Sequence, residues 1–285
     1  MKTYLDCYPC FLQQALRAAR LSGADETQQF SIMQYSLSLL RNLPAGANPP
    51  EIGYHIHQIV SDRVDVQDPY REVKAVSTRQ ALALYDRLKS LVQQSADPIG
   101  LAIRLSIAGN IIDFAISDHI EDLWVTVERV IRQPYAVDDS EVMLERLKTA
   151  DHLLYLADNA GETVFDRILI ETLPVPVIYA VKSHPYVNDA TMADALAAGL
   201  DRCATLIENG AQAAGTILKL CSPEFRANYE KAPLIIAKGQ ANFETLSDAG
   251  PRVFCLLQVK CPIIAVDLDV PVGSIVARQC GMETR

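Results

Sequence analysis

Residues 158–162, Asp-Asn-Ala-Gly-Glu, place two carboxylates, an amide and a glycine directly after a short apolar run. Carboxylate and amide oxygens are ligands that hard cations such as Mg²⁺ and Mn²⁺ prefer. The competing interpretation is that Asp158 or Asn159 caps a helix that begins near Glu162, with Gly161 relieving the turn. A cap needs only one such side chain, so the segment taken alone leaves a metal site and a helix cap equally open.

A second group of polar residues follows the next apolar run: Lys182, Asn188, Asp189, Thr191 and Asp194. Capping a helix is the commoner use of such residues, and Asn188 or Asp189 would serve as the cap. If the two apolar runs are neighbouring strands, however, Asp189 lies beside Asp158. Two carboxylates and an amide then converge, which makes a metal site plausible.

The third polar segment is a glycine-rich turn that starts at Glu208-Asn209-Gly210 and ends at Gly215-Thr216, before a predicted helix over residues 217–221. The spacing resembles a phosphate-binding P-loop but lacks the lysine between Gly215 and Thr216, so no nucleotide site is predicted. A glycine-rich turn at a helix N-terminus can still hold a phosphate through backbone N–H groups. A plain tight turn is an equal alternative.

The fourth apolar run ends in another polar group: Lys238, Gly239, Gln240, Asn242 and Glu244. A lysine here pairs with an acidic surface, or it neutralises charge that develops on transferring phosphate oxygens. Four successive polar segments therefore suit one phosphorylated ligand and one hard metal. Their agreement is stronger than any one of the motifs.

The elements that must position these residues divide the chain in two. From Phe11 to about Val137 apolar residues recur at three- and four-residue steps, which predicts helices. After residue 150 the apolar runs are short and β-rich: 152–157, 175–181, 202–207, 232–237, 252–259 and 262–268. We predict an all-helical N-terminal region (1–149) packed on a doubly wound, mostly parallel α/β domain (150–285). The last two runs are close enough to form an antiparallel edge pair, and ligands should bind at the carboxyl ends of the strands.

Composition excludes several classes of protein. The 285 residues carry a net charge of −9, which offers no basic stripe for nucleic acid. No apolar run approaches the roughly 20 residues of a membrane span. The N-terminal residues do not show the basic region followed by an apolar stretch that is typical of a secretion signal. We therefore expect a cytoplasmic protein with neither nucleic acid nor membrane as a partner.

The seven cysteines should be reduced thiols, and only Cys7 and Cys10 have a spacing that leaves a redox or soft-metal role open.

Two further segments invite a functional interpretation. Asn110 and Asp113 lie three residues apart, hence on one face of a helix, and either close the active site from the helical half or join two helices. Asp267-Leu268-Asp269 looks like the nucleophile motif of haloacid-dehalogenase-like phosphatases. That chemistry needs further motifs downstream, so we interpret this segment as a polar strand end.

Together these motifs resemble the DUF89 family, the damage-control phosphatases related to the acidic-residue methyltransferase-1-like proteins. The likeness rests on DNAGE (158–162), NDAT (188–191), ENG (208–210) and KGQANFE (238–244), and CYPC (7–10) and AGNIIDF (108–114) look like its prokaryotic branch. The resemblance implies helices packed on a Rossmann-like α/β domain. It also implies a phosphatase that depends on a divalent metal (Mg, Mn, Co or Ni) and acts on small phosphometabolites such as sugar phosphates.

The resemblance also implies roles for single residues. The metal ligands would be Asp158, Asn159 and Asp189, and the catalytic residues would include Asp158, Glu162 as proton acceptor, and Lys238 at the phosphate. Candidate substrate-binding residues are Asn110, Asp113, Glu208, Asn209, Gly210, Gly239 and Asn242. The alternatives are an S-adenosylmethionine-dependent carboxyl methyltransferase and a phosphometabolite-binding protein without catalysis. The oligomeric state is not predicted.

Overall fold

The computed structural model describes residues 1–43, 46–112 and 120–281. Within these residues the helices are α1 (Cys7–Leu21), α2 (Glu26–Arg41), α3 (Pro49–Ser61), α4 (Arg71–Gln93), α5 (Pro98–Ile112), α6 (Ile120–Arg132), α7 (Ser140–Leu147), α8 (Thr163–Thr172), α9 (Met192–Ala197), α10 (Pro223–Lys231), α11 (Gly239–Leu246) and α12 (Pro262–Leu268). The strands are β1 (Tyr135–Asp138), β2 (Leu153–Leu156), β3 (Val177–Val181), β4 (Thr205–Glu208), β5 (Ile235–Lys238), β6 (Val253–Gln258) and β7 (Ile275–Gln279). None of the described helices is both long and apolar enough to cross a membrane.

The strands form one sheet in the order β1-β7-β6-β5-β2-β3-β4. All neighbours are parallel except β6 and β7, which are antiparallel. The chain builds β2, β3 and β4 outward in one direction and then returns to place β5 on the other side of β2. The carboxyl ends of β2 and β5 therefore flank a topological switch point, the place where open α/β sheets bind ligands.

Helices cover both faces of the sheet, and β2 shows the reason. All four of its residues are buried, and successive side chains of a strand point to opposite faces. Leu153 and Tyr155 join a hydrophobic cluster with residues of α4 to α8, whereas Leu154 and Leu156 join a cluster with residues of α10, α11 and α12. Burial on both faces explains why the sequence of β2 is continuously apolar. The predicted α/β class is confirmed.

The N-terminal helices divide into two groups. Helices α1 to α3 share a separate apolar cluster, and capping boxes at Asp25 and Asn48 fix the starts of α2 and α3. Helices α4 to α6 instead contribute to the core against the sheet. In addition, β1 lies inside the range predicted to be helical. The boundary at 149/150 stays a prediction, but the sheet draws on both sides of it.

One predicted strand is wrong. Residues 262–268 form α12, so the antiparallel partner of β6 is β7, with Leu256 opposite Ala277. Pro262 is compatible with the first turn of a helix, and the run buries one helical face rather than two strand faces. Asp269 ends this helix in a left-handed conformation, with φ of 55°. The Asp267 segment is consequently not a strand end, which removes the geometric basis for the haloacid-dehalogenase interpretation.

Candidate active site

The loops that follow β2 and β3 are joined by backbone hydrogen bonds. Ala160 N donates to Asn188 O at 2.9 Å, and Ala190 N donates to Asp158 O at 2.8 Å. Asn159 and Asp189 form an isolated antiparallel bridge between the loops. The predicted adjacency of Asp158 and Asp189 is thereby confirmed, because β2 and β3 are neighbours in the sheet.

Helix capping does not explain these residues. Glu162 occupies the N-cap position of α8, but no side-chain hydrogen bond caps that helix. Thr191 caps α9 in a capping box with Asp194, so neither Asn188 nor Asp189 is needed there. The caps of α8 and α9 therefore do not account for the positions of Asp158, Asn159 and Asp189.

Two amides converge on the same pair of carboxylate oxygens. Asn159 Nδ2 donates to Asp158 Oδ2 at 2.9 Å and to Glu162 Oε1 at 2.6 Å. Asn110 Nδ2 donates to the same two oxygens, at 2.9 and 2.5 Å. Because Asn110 belongs to α5, the helical half does reach the site. Asp113 lies outside the described residues.

Lys238 is buried in contact with Glu162 and does not reach the protein surface. Its ammonium donates to Ser106 O at 2.9 Å, Glu162 Oε2 at 3.0 Å and Asp166 Oδ1 at 2.7 Å, and all three charged side chains have no exposed surface. An ammonium has three protons, and these contacts use all of them. The predicted direct contact between Lys238 and a phosphate does not fit this placement.

Asp166 is the centre of a buried polar network. Its Oδ1 accepts from Tyr155 at 2.7 Å and from Ser106 at 3.2 Å, and its Oδ2 accepts from Tyr179 at 2.9 Å. Burial raises the pKa of the Asp166 carboxyl, and the charge of Lys238 opposes that shift. Burial also works against the charged form of Lys238, but Asp166 and Glu162 bring its pKa above the ordinary range. The network thus holds its charges by mutual pairing.

Asp189 carries a buried oxygen with little compensation. Its Oδ2 lies 3.6 Å from Lys182 Nζ and has no hydrogen-bond partner among the described residues. Burial raises the pKa of this carboxyl to about 6, and Lys182 limits the shift. Lys182 also donates to the carbonyl of Gly215, so one lysine ties the Asp189 loop to the glycine-rich turn.

Gly239 and Asn242, which follow β5, make close contacts within the protein. Gly239 has φ of 78°, and a Cβ atom there would lie 1.9 Å from Asp158 Oδ2, so only glycine permits the close approach. Asn242 is fully buried, donates to Ala157 O and Lys238 O, and accepts from Thr216 Oγ1. Neither placement supports the predicted contact of these two residues with substrate.

The glycine-rich turn after β4 is a structural connection. Asn209 Oδ1 accepts from Ala211 N at 2.9 Å, and Gly210 N donates to Ser183 Oγ at 2.6 Å, while Glu208 is exposed. The predicted helix over 217–221 is a short 3-10 turn, Leu218–Leu220, and the next α-helix begins at Pro223. The predicted phosphate site at a helix N-terminus therefore lacks its α-helix.

Sequence reasoning missed two residues of the site. Asp166 lies four residues after Glu162, and the buried residues around it from Val164 to Ile170 are apolar, so this i,i+4 pair of carboxylates was the available signal. Lys260 follows β6 and donates to the backbone carbonyl of Asn110. The strand-end rule that selected Lys238 also selects Lys260, which is partly exposed.

Metal binding and the cysteines were two further predictions. Among the described residues, no group of three or more His, Cys, Asp or Glu side chains is arranged to hold a metal. The predicted metal ligands are two carboxylates and one amide. All seven cysteines are free, and the expectation of reduced thiols stays a prediction. Cys7 is buried and Cys10 is exposed, and burial raises the pKa of both thiols.

The fold is that of an α/β protein whose polar strand ends gather at the switch point of its sheet. The sequence model of the damage-control phosphatase ARMT1-like domain matches residues 3–276, and the chain belongs to this family. It is 36% identical over 286 residues to damage-control phosphatase PH1575 of Pyrococcus horikoshii, covering 97% of each chain. It is 33% identical over 281 residues to a damage-control phosphatase of Archaeoglobus fulgidus, covering 95% of this chain and 97% of the relative.

The fold comparison agrees. The crystal structure of the DUF89 family protein PH1575 matches with a TM-score of 0.91 and 35% identity, covering 98% of this chain and 99% of that chain. The predicted resemblance to the DUF89 family is confirmed.

Proposed function

We propose that this protein is a divalent-metal-dependent phosphatase, a phosphoric monoester hydrolase acting on small phosphometabolites such as sugar phosphates or related damaged metabolites. The observation that carries the proposal is the junction of the β2 and β3 loops, where Asp158, Asn159 and Asp189 meet. Relatives named damage-control phosphatases support the reaction class.

The chemistry of these residues fits a hard cation. Asp158, Asn159 and Asp189 would hold Mg²⁺, Mn²⁺, Co²⁺ or Ni²⁺ through two carboxylates and an amide oxygen. Asp189 Oδ2 is buried without a hydrogen bond among the described residues, and a cation would compensate it. When bound, the ion supplies positive charge that polarises a phosphoryl oxygen.

Charge on the transferring phosphoryl group also needs a cationic side chain. Lys182 and Lys238 are buried, whereas Lys260 is partly exposed at the carboxyl end of β6. We assign to Lys260 the electrostatic role that the sequence suggested for Lys238. Its bond to the Asn110 carbonyl orients the ammonium toward the same strand ends.

The experiment begins with metal-stripped protein and a broad panel of phosphometabolites. Mg²⁺, Mn²⁺, Co²⁺ or Ni²⁺ is added in turn, and phosphate release is measured for wild type, Asp158→Ala and Asp267→Ala. We expect metal-stimulated release by wild type and a loss of at least about 100-fold in Asp158→Ala, since a ligand carboxylate is removed. Asp267→Ala, a substitution on α12, should retain nearly full activity.

The alternatives give different results in the same assay. A methyltransferase would bind S-adenosylmethionine without a metal and release no phosphate. A binding protein would retain a phosphometabolite without turnover. The absence of metal-stimulated, Asp158-dependent release across the panel would overturn the proposed phosphatase, and inactivation by Asp267→Ala with metal binding preserved would restore the haloacid-dehalogenase interpretation.

A further inference from the structure

The contacts of Glu162 differ from those expected of a proton acceptor. Its Oε1 accepts an N–H from Asn110 at 2.5 Å and another from Asn159 at 2.6 Å, and its Oε2 accepts from Lys238 at 3.0 Å. The residue has no exposed surface. Three of the roughly four acceptor sites of the Glu162 carboxylate are therefore already occupied by groups of the protein.

We propose that Glu162 is a positioning residue, which fixes the orientation of the Asn110 and Asn159 amides and so prepares Asn159 to bind the cation. This inference rests on the metal site of the proposed function. An ionised carboxylate only accepts hydrogen bonds, so each amide must present its NH₂ group to Glu162. The carbonyl oxygen of each amide then lies on the branch that points away from Glu162.

The second acceptor reinforces this orientation. Asp158 Oδ2 also accepts from both NH₂ groups, at 2.9 Å in each case. Rotating either amide by half a turn would bring its carbonyl oxygen against two carboxylate oxygens, a repulsive contact in a buried site. Asn159 therefore has one permitted orientation, and in that orientation its Oδ1 is the ligand atom that the metal site needs.

The Asn110 amide gives an independent indication that a ligand belongs here. Asn110 is 1% exposed, and its Oδ1 has no hydrogen-bond partner among the described residues. Buried acceptors are nearly always satisfied, so this oxygen calls for a partner that the described residues do not provide. The orientation that leaves Oδ1 open is the one that Glu162 imposes.

Residues behind Glu162 keep it in place. Lys238 joins Glu162 to Asp166, and Asp166 is held by the hydroxyls of Tyr155 and Tyr179. Partners of metal ligands of this kind are typically worth 10- to 100-fold in metal affinity or activity. A general base contributes about 10²- to 10⁴-fold in rate, which makes the two roles distinguishable.

The test compares Glu162→Gln with Glu171→Gln. Glu162 is the N-cap residue of α8, and Glu171 lies near the other end of that helix, where its carboxylate accepts hydrogen bonds from Tyr85, Lys89 and Arg167. Mn²⁺ binding is measured by isothermal titration and by electron paramagnetic resonance, and activity is measured across Mn²⁺ concentrations. We expect Glu162→Gln to bind Mn²⁺ about 10- to 100-fold more weakly and to regain most of its kcat at saturating Mn²⁺, with Glu171→Gln unchanged.

The other outcomes separate the two proposals. Wild type that binds none of Mg²⁺, Mn²⁺, Co²⁺ and Ni²⁺ would overturn the proposed function. Wild type that binds while Glu162→Gln binds equally well, and loses kcat that no Mn²⁺ concentration restores, would overturn the positioning role and favour a general base.

A second variant covers the case in which Glu162→Gln does not fold. Asn110→Ala removes one of the two amides but leaves the pair between Glu162 and Lys238 intact. With native near-ultraviolet circular dichroism, this variant should bind Mn²⁺ several-fold more weakly than wild type. An unchanged dissociation constant would contradict the proposal.

Discussion

Several charged residues of this protein are buried in its interior, where an uncompensated charge is energetically unfavourable. Lys238, Glu162 and Asp166 have no exposed surface, and the lysine lies within ion-pair distance of both carboxylates. Removing one partner of such a group typically costs about 3–5 kcal/mol, because the remaining charge is left uncompensated. Substitutions at Lys238 will therefore lower the free energy of unfolding as well as any activity, and loss of activity alone does not identify a catalytic residue.

Glu244 provides a prediction at this scale. Burial raises the pKa of its carboxyl from 4.5 to about 7, although the Met1 amino group opposes the shift. A carboxyl with a raised folded-state pKa binds more protons in the folded state, so stability falls as pH rises from about 4.5 to about 7. We expect wild type to lose on the order of 2 kcal/mol relative to Glu244→Gln between about pH 5 and about pH 8, measured by urea unfolding.

The control for this prediction is Asp248→Asn. Asp248 lies 3.9 Å from the same amino group, and its side chain is 95% exposed, so the substitution should leave the pH dependence of wild type in place. Parallel stability curves for wild type and Glu244→Gln would show that the Glu244 carboxyl is not perturbed by burial.

At the scale of single elements, the junction of β5 and α11 decides how close Asp158 can come to the backbone. Helix α11 begins at Gly239, immediately after Lys238 ends the strand, and this glycine has a positive φ. The short connection places a helix N-terminus, where the backbone dipole favours negative charge, beside the Asp158 carboxylate. The element thus contributes to the site through its backbone.

Gly239→Ala tests this junction against Gly250→Ala. Both glycines have positive φ, 78° and 93°, so both substitutions carry the same backbone cost of about 1–2 kcal/mol. A Cβ at Gly250 meets nothing within 4 Å, whereas a Cβ at Gly239 would collide with Asp158. We expect Gly239→Ala to lose about 1–3 kcal/mol more in urea unfolding, and to weaken Mn²⁺ binding. Equal losses in the two variants would show that Asp158 moves aside freely.

At the scale of the whole molecule, the helical region and the sheet share one core. Leu105 and Ile107 of α5 belong to the same buried cluster as Tyr155 of β2 and Phe165 of α8. Helices α1 to α3 have a smaller cluster of their own. The strongest connection therefore joins α4, α5 and α6 to the sheet, and α5 also contacts the polar site through Ser106 and Asn110.

Truncation tests this organisation. We expect a fragment of residues 150–285 to lack cooperative unfolding and near-ultraviolet circular dichroism, because it would expose the face of the sheet that α5 covers. A fragment of residues 67–285, which retains α4 to α6, should keep a cooperative transition of lower midpoint. Cooperative unfolding of 150–285 alone would support independent domains on either side of 149/150.

The sequence by itself determined the fold class and the edge of the sheet that carries the polar residues. Apolar runs of strand length report burial on both faces, and parallel strands bring their carboxyl ends to one edge. That reasoning was sufficient to place Asp158 beside Asp189. It failed at residues 262–268, because a short apolar run fits a helix and a strand equally well.

Only the tertiary structure decided which polar side chains are buried against one another. Lys238 contacts the carbonyl of Ser106, 132 residues earlier, and Glu162 contacts Asn110 across 52 residues. Local spacing gives the direction of the backbone, but the partner of a buried charge comes from whichever distant element packs against it. For this reason the sequence assigned Lys238 and Glu162 to the chemical step. In the structure both are buried and bonded to other side chains of the protein.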